Sequence, residues 1–204
     1  MKNLKGRCIF AQSGGPTSVI NSSLAGGITE ALKSENITGV LCAENGIKGV
    51  INEKFFDMGK EDVNEIYALK FTPAMAFGSV RYKMKDFAED ETDYEKILEV
   101  FKKYDVRYFF YNGGNDSMDT CEKISRYMEK VGYGVNVIGI PKTIDNDLAA
   151  TDHSPGYGSA AKFVATCAEE VSYDARIYGD RIVIILEIMG RDAGWLTAAA
   201  SLTK

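Results

Sequence analysis

A single histidine, His153, serves the whole of this 204-residue chain. That excludes any mechanism built on two imidazoles and argues against Ser-His-Asp catalysis and histidine-rich metal centres. The four cysteines, Cys8, Cys42, Cys121 and Cys167, are far apart and form no C-x-x-C pair. Such spacing suits neither a zinc site nor a small disulfide scaffold, and it reads as buried free thiols in a reducing compartment. There is no run of lysine and arginine, and 24 basic against 29 acidic residues give a net charge of -5. A nucleic-acid partner or an anionic membrane surface is therefore not expected. The longest apolar run, Ile182-Val183-Ile184-Ile185-Leu186, is far too short to cross a bilayer. Residues 1–7 carry no apolar signal region, so a cytoplasmic protein is the expectation.

What remains is a chain 45% hydrophobic and 26% charged, the make-up of a globular protein with apolar mass for a sizeable core. Whatever it catalyses must be done mainly by carboxylates, lysine, arginine and backbone amides. The chain cycles through strand, glycine-rich turn and helix. Buried strands are expected over 7–12, 38–43, 107–111, 134–140 and 181–188. Helices are expected from Val19 through Leu32, around 97–104, over 118–131 and 159–173, and near 195–200. Unbroken apolar strands alternating with amphipathic helices predict an α/β fold with mostly parallel, doubly wound sheets. Ligands of such sheets sit beyond the carboxyl ends of the strands. The unusual residues of this chain cluster there, in Gly14-Gly15, in 113–117, in 142–147 and in 189–191.

Each of these turns has a chemical and a plain reading. Gly14-Gly15 is either an ordinary tight turn or a place where backbone amides approach a phosphate ahead of a helix. Neither G-x-G-x-x-G after a strand nor G-x-x-x-x-G-K-[ST] occurs, so a dinucleotide dehydrogenase and a P-loop NTPase both fit poorly. Gly113-Gly114-Asn115-Asp116-Ser117 is either a helix cap with Asx residues, Ser117 capping, or a turn in which Asn115 and Asp116 position Mg²⁺. Lys142-Thr143-Ile144-Asp145-Asn146-Asp147 puts a cation, a hydroxyl and two carboxylates in six residues. That is the inventory needed to move a phosphoryl group from a Mg²⁺-bound donor to an alcohol. A calcium loop is excluded, because its sixth and twelfth places hold Ala150 and Gly156. Arg81 and Arg191 stand beside glycines at element boundaries, either as solvated surface residues or as bidentate phosphate contacts. Tyr157, Met189 and Trp195 read as packing residues.

In their order and spacing, the segments 14–21, 113–117, 141–147 (P-K-T-I-D-N-D) and 187–191 (E-I-M-G-R) resemble the 6-phosphofructokinase family. The resemblance implies a phosphofructokinase-like fold. It also implies phosphorylation of fructose 6-phosphate at its 1-hydroxyl, giving fructose 1,6-bisphosphate with Mg²⁺ as cofactor. By position, Asp145 is implied as the base on the sugar hydroxyl. Thr143, Ile144, Asp145, Met189, Gly190 and Arg191 are implied as sugar-phosphate contacts, and Gly14, Gly15, Arg81 and Lys142 as contacts to the phosphoryl donor. Asn115, where ATP-type members have a metal-associated aspartate, and Asp147 are the implied magnesium ligands; an uncharged amide makes the former weaker. Two places bear on the donor. ATP-dependent members typically have glycine at 116 and 142, whereas pyrophosphate-dependent members have the aspartate and lysine found here. A carboxylate at Asp116 repels the region where the α-phosphate of ATP must lie, and Lys142 adds charge stabilisation, so both join Asp145 in the implied catalytic set. Pyrophosphate is thus the implied donor. An ATP-dependent enzyme and a non-catalytic ligand-binding relative are the alternatives.

Family members are considerably longer and build the sugar-phosphate site from later segments and a neighbouring subunit. The resemblance therefore implies a homo-oligomer when full length, of which this chain is the N-terminal portion. Residues 1–140 are the expected donor-binding domain without its returning segment. Residues 141–204 are the expected start of the sugar-phosphate domain, and the 204 residues alone are expected to have little or no activity.

Overall fold

The protein's computed structural model describes residues 4–179 and 182–202, which fall into two compact units divided between Pro141 and Lys142. In the first unit a five-stranded sheet contains β1 (Gly6–Gln12), β2 (Ile37–Ala43), β3 (Phe55–Asp57), β4 (Val106–Gly113) and β5 (Asn136–Pro141) in the order β3-β2-β1-β4-β5. All neighbours are parallel except β3, a three-residue edge strand antiparallel to β2. The helices of this unit are α1 (Ile20–Ala31), α2 (Ile47–Ile51), α3 (Val63–Ala68), α4 (Thr92–Lys103) and α5 (Asn115–Lys130).

The period-two alternation of β1 divides the core between the two faces. Ile9 and Ala11 join Phe109, Tyr111, Phe101 and Ile124 on the face covered by α4 and α5. Cys8 and Phe10 join Leu24, Ile28 and Cys42 on the face covered by α1. Tyr94, Ile97, Val100 and Phe101 give α4 a buried stripe at helical spacing. Asp93 and Glu95 in its first turn and Lys102 and Lys103 in its last complement the helix dipole. Cys8, Cys42 and Cys121 are buried free thiols, and desolvation pushes those of Cys8 and Cys121 up to about 12, so the thiolate is suppressed.

The alternation of parallel strands and helices follows the expected doubly wound pattern, and the expected strands over 7–12, 38–43, 107–111 and 134–140 all form. The expected strand over 181–188 does not. Arg181 lies outside the described residues, and 182–188 is not assigned to any sheet, with Val183 86% and Ile185 88% exposed. A strand needs neighbours for its backbone hydrogen bonds and covering layers for its side chains, and the described residues supply neither here. The second unit otherwise contains α6 (Tyr157–Ile177) packed against α7 (Trp195–Ala199), followed by a 3₁₀ turn over Ala200–Leu202.

Adjacent glycines of α1 give a test of the packing on this sheet. A Cβ at Gly27 would lie 2.6 Å from the Phe10 ring, which is buried and stacked on Phe110 with ring centroids 4.6 Å apart. A Cβ at exposed Gly26 meets nothing within 4 Å. Helix propensity favours alanine at both positions by about 1 kcal/mol. Overpacking costs about 1–3 kcal/mol. Denaturant midpoints should therefore move in opposite directions, up for Gly26→Ala and down for Gly27→Ala. A rise for both would show that the Phe10 ring yields freely.

Candidate functional site

The two central strands, β1 and β4, run in register from Cys8 opposite Tyr108 to Gln12 opposite Asn112. Beyond β1 the chain enters α1 on one face of the sheet, and beyond β4 it enters α5 on the other. Adjacent parallel strands whose helices depart to opposite faces leave a crevice at their carboxyl ends. Both glycine pairs stand at that crevice. Ser13 N donates to Asn112 O at 2.9 Å, and a Cβ on Gly113 would meet Ser117 Oγ at 2.1 Å and Ser13 O at 3.0 Å. Gly113 thus packs closely against the Ser13 carbonyl of the other exit. Gly14 has φ +85, a left-handed conformation that glycine adopts without strain.

The β4 exit differs in detail from the sequence reading. The helix begins at Asn115, not near Met118, because Gly114 in extended conformation turns directly into it. Ser117 is not the cap; it is buried inside the first turn, on the Gly113 backbone. Asn115 and Asp116 are exposed in that turn, beside the amides and partial positive charge of the helix N-terminus. A carboxylate there occupies the place and the potential that an anionic ligand would otherwise use.

Arg81 is exposed near the middle of an irregular stretch, 72–91, that follows the 3₁₀ turn Leu69–Phe71. Among the described residues its guanidinium has no hydrogen-bond or ion-pair partner. Its position is nevertheless set from both sides of the glycine turn. Ser79 Oγ donates to Gly14 O at 2.7 Å, and Ser13 Oγ donates to Val80 O at 2.8 Å. These hydroxyl contacts between residues 13–14 and 79–80 were not legible in the sequence, where Ser13 and Ser79 are two serines 66 positions apart.

β5 carries the chain to the second unit and ends at Pro141, which pairs with Gly113. Lys142 is only 6% exposed. Burial lowers its pKa from the ordinary 10.5, opposed by the negative charge of Asp145. Within the second unit, Thr143 bridges to Gly156, whose φ of +109 starts α6, and Thr143 N donates to Pro155 O at 3.1 Å. Asp145 N donates to Thr143 Oγ1 at 3.1 Å. Asn146, at φ +56, accepts from Ser154 N at 2.7 Å and donates to Asp152 O at 3.3 Å. The uncharged residues thus tie the turn down, while the carboxylates of Asp145 and Asp147 take no hydrogen bond among the described residues. Ile144 is half-buried in the same turn.

The Met189-Gly190-Arg191 turn is closed by Ala193 N donating to Gly190 O at 2.8 Å, and a Cβ at Gly190 would strike Ala193 O at 2.3 Å. Arg191 is exposed at φ +45. Met189 and Trp195, read from sequence as packing residues, are exposed, in keeping with the unpaired segment that precedes them. Tyr157 is tied to the backbone of Trp195, its hydroxyl donating to the carbonyl at 3.3 Å.

No cluster of three or more His, Cys, Asp or Glu among the described residues could hold a metal by itself. Magnesium, however, keeps most of its shell in water and ligand oxygens and needs only one or two carboxylates. Exposed Asp147 offers a carboxylate of that hard-oxygen kind within the second unit, and exposed Asn115 an amide oxygen within the first. Within the first unit, the glycine turns and Arg81 can receive anionic groups; within the second, the 142–147 turn offers a cation and two carboxylates.

A family model described as phosphofructokinase matches residues 7–204. The chain is 51% identical over 199 residues to a pyrophosphate–fructose 6-phosphate 1-phosphotransferase of Xanthomonas campestris, covering 97% of this chain and 47% of that protein. It is 49% identical over 196 residues to the protein of that name from Halomonas elongata, covering 95% of this chain and 47% of the relative. It also superposes on the crystal structure of a pyrophosphate-dependent phosphofructokinase from Nitrosospira multiformis with a TM-score of 0.90 and 45% identity, over 97% of this chain and 49% of that one. The chain thus spans about half the length of the curated relatives it matches.

The burial of Lys142 makes a prediction that needs no ligand. Between its lowered pKa and 10.5, the unfolded chain binds more protons at this position than the folded one. Stability contributed by this group therefore rises with pH across that window and is lost as pH falls through the lowered value. Urea midpoints of the wild type and Lys142→Met should diverge accordingly, the variant gaining most on the acidic side. Equal midpoints throughout would mean that the ammonium is not desolvated.

Proposed function

The chain belongs to the phosphofructokinase family, and from that premise we propose that the protein transfers a phosphoryl group from pyrophosphate to the 1-hydroxyl of fructose 6-phosphate. The observation that carries the choice of donor is Asp116, exposed in the first turn of α5 beside Gly113. Its carboxylate disfavours the additional phosphate of a nucleotide at that helix start, while a compact pyrophosphate needs only the neighbouring turn. The names borne by relatives at 49% and 51% identity support the same reading.

In this mechanism Gly14 and Gly15 receive the donor on backbone amides, and Arg81 and Lys142 hold its negative oxygens. Thr143, Ile144, Met189, Gly190 and Arg191 contact the sugar phosphate. Asp145 takes the proton from the 1-hydroxyl as its oxygen bonds to the transferred phosphorus, and the bridging P–O bond of pyrophosphate breaks to release phosphate. Asn115 and Asp147 would hold Mg²⁺, which when bound offsets charge on the donor oxygens. Burial makes Lys142 effective, because a cation in a poorly solvated setting acts strongly on charge that develops beside it. Apart from Lys142 and Asp147, residues up to 140 serve the donor and those from 141 the sugar phosphate. A cytoplasmic homo-oligomer completes the proposal, the buried free thiols being consistent with a reducing setting.

Assayed side by side in the full-length protein, pyrophosphate should support faster turnover than ATP. ATP turnover equal to or above that with pyrophosphate would sink the donor assignment. Asp145→Ala should lower kcat by at least ~10²-fold, the lower range for losing a general base. A smaller loss with sugar-phosphate binding intact would remove Asp145 from that role.

A further inference from the structure

The stretch that delivers Arg81 has almost no regular backbone bonding of its own, and two buried side chains on other elements hold it. Asn21, in the first turn of α1, donates from Nδ2 to Thr72 O at 2.8 Å and accepts at Oδ1 from Ala76 N at 3.0 Å. Gln12, the last residue of β1, donates from Nε2 to the same Asn21 Oδ1 at 2.9 Å and accepts at Oε1 from Phe77 N at 3.3 Å. Both side chains are fully buried. A loop of this length without secondary structure is usually functional or disordered, and here three contacts from one amide pair, itself joined by a fourth, fix its course.

We infer that Gln12 and Asn21 are positioning residues for the phosphoryl donor, an inference that rests on the donor roles proposed for Gly14 and Arg81. Gln12 ends the strand that runs into Gly14, and Asn21 lies in the first turn of the helix that follows the same turn. The amides they capture lie four and five residues before Arg81. The pair therefore ties the arginine to the glycine turn through a buried link. Neither side chain needs to touch the donor. Both are neutral, so the pair adds no field of its own. Buried amides bonded on both sides also discriminate against slippage, since any shift of the loop leaves polar atoms unpaired in a water-poor interior.

Two variants of the full-length protein test this, with kinetics measured using whichever donor the wild type turns over. Asn21→Asp keeps the acceptor and the shape but turns an oxygen toward Thr72 O. Gln12→Leu removes both contacts of Gln12 without adding charge, and serves if the first variant folds poorly. Each should raise the donor KM about tenfold, equivalent to ~1.4 kcal/mol. The fructose 6-phosphate KM should stay within about twofold, because uniform binding is lost at one ligand alone. Hydrogen exchange at the amides of Ala76 and Phe77 should quicken. Ile28→Val, a buried substitution on α1 away from the loop, should lower stability without moving the donor KM. The inference is overturned if exchange at 76 and 77 is unchanged. A donor KM that stays constant while exchange quickens overturns it too, as do both KM values rising together or Ile28→Val giving the same shift. A wild type active only with ATP refutes the pyrophosphate reading and leaves this inference to the ATP KM. A wild type inactive with either donor refutes both.

Discussion

The parallel pairing of β1 with β4 is the constraint on which the candidate site depends. Parallel strands in register end at the same level, so Gln12 opposite Asn112 brings two glycine turns, distant in sequence, to one edge of the sheet. The packing of the exits then demands glycine at 113, where even a methyl group would collide with Ser117 and the Ser13 carbonyl. The next pairing, Gly113 with Pro141, sets where the chain leaves toward Lys142. Because the helices after β1 and β4 go to opposite faces, they diverge at the carboxyl ends of the strands and leave a crevice there. The hydrophobic division of β1, alternate residues to alternate faces, is thus what produces the crevice; a register slip of one residue would destroy the core and the site together.

How much of this could be read in the sequence depended on whether the determining contacts were local. The four long strands were legible because parallel strands covered on both faces need unbroken apolar runs, and Cys8-Ile9-Phe10-Ala11 and Tyr108-Phe109-Phe110-Tyr111 are such runs. The glycine turns and the carboxylates of 142–147 were legible because their residue types are costly without a purpose. The short antiparallel β3 was not, since three residues carry no measurable period. Nor was Ser117, whose burial depends on a contact with Gly113 that capping statistics do not describe.

The segment 182–188 marks the limit of such reading from the other side. Its composition is as strand-like as that of β1, with five consecutive β-branched or leucine residues, yet it takes no place in a sheet among the described residues. Propensity describes fit to a pleated, covered surface and does not create one. β1 succeeds because β2 and β4 bond to it on either side and α1, α4 and α5 cover its faces. The same physics that makes a central strand stable makes an unaccompanied one exposed.

A common division of labour links the turns of both units. The residues that fix backbone position are neutral: Ser13, Ser79, Gln12 and Asn21 around Gly14 and Arg81, and Thr143 and Asn146 around Asp145. The carboxylates of Asp145 and Asp147 and the guanidinium of Arg81 are left without such duties among the described residues. This separation has a physical reason. A charged group that also holds the scaffold would lose part of its field to its structural partner and would move the backbone whenever a ligand drew it away. Amides and hydroxyls bond the backbone at distances of 2.7 to 3.3 Å without competing for an ionic ligand. The scaffold can then stay fixed while the ions respond to what binds, which is the preorganisation that charge transfer between bound groups requires.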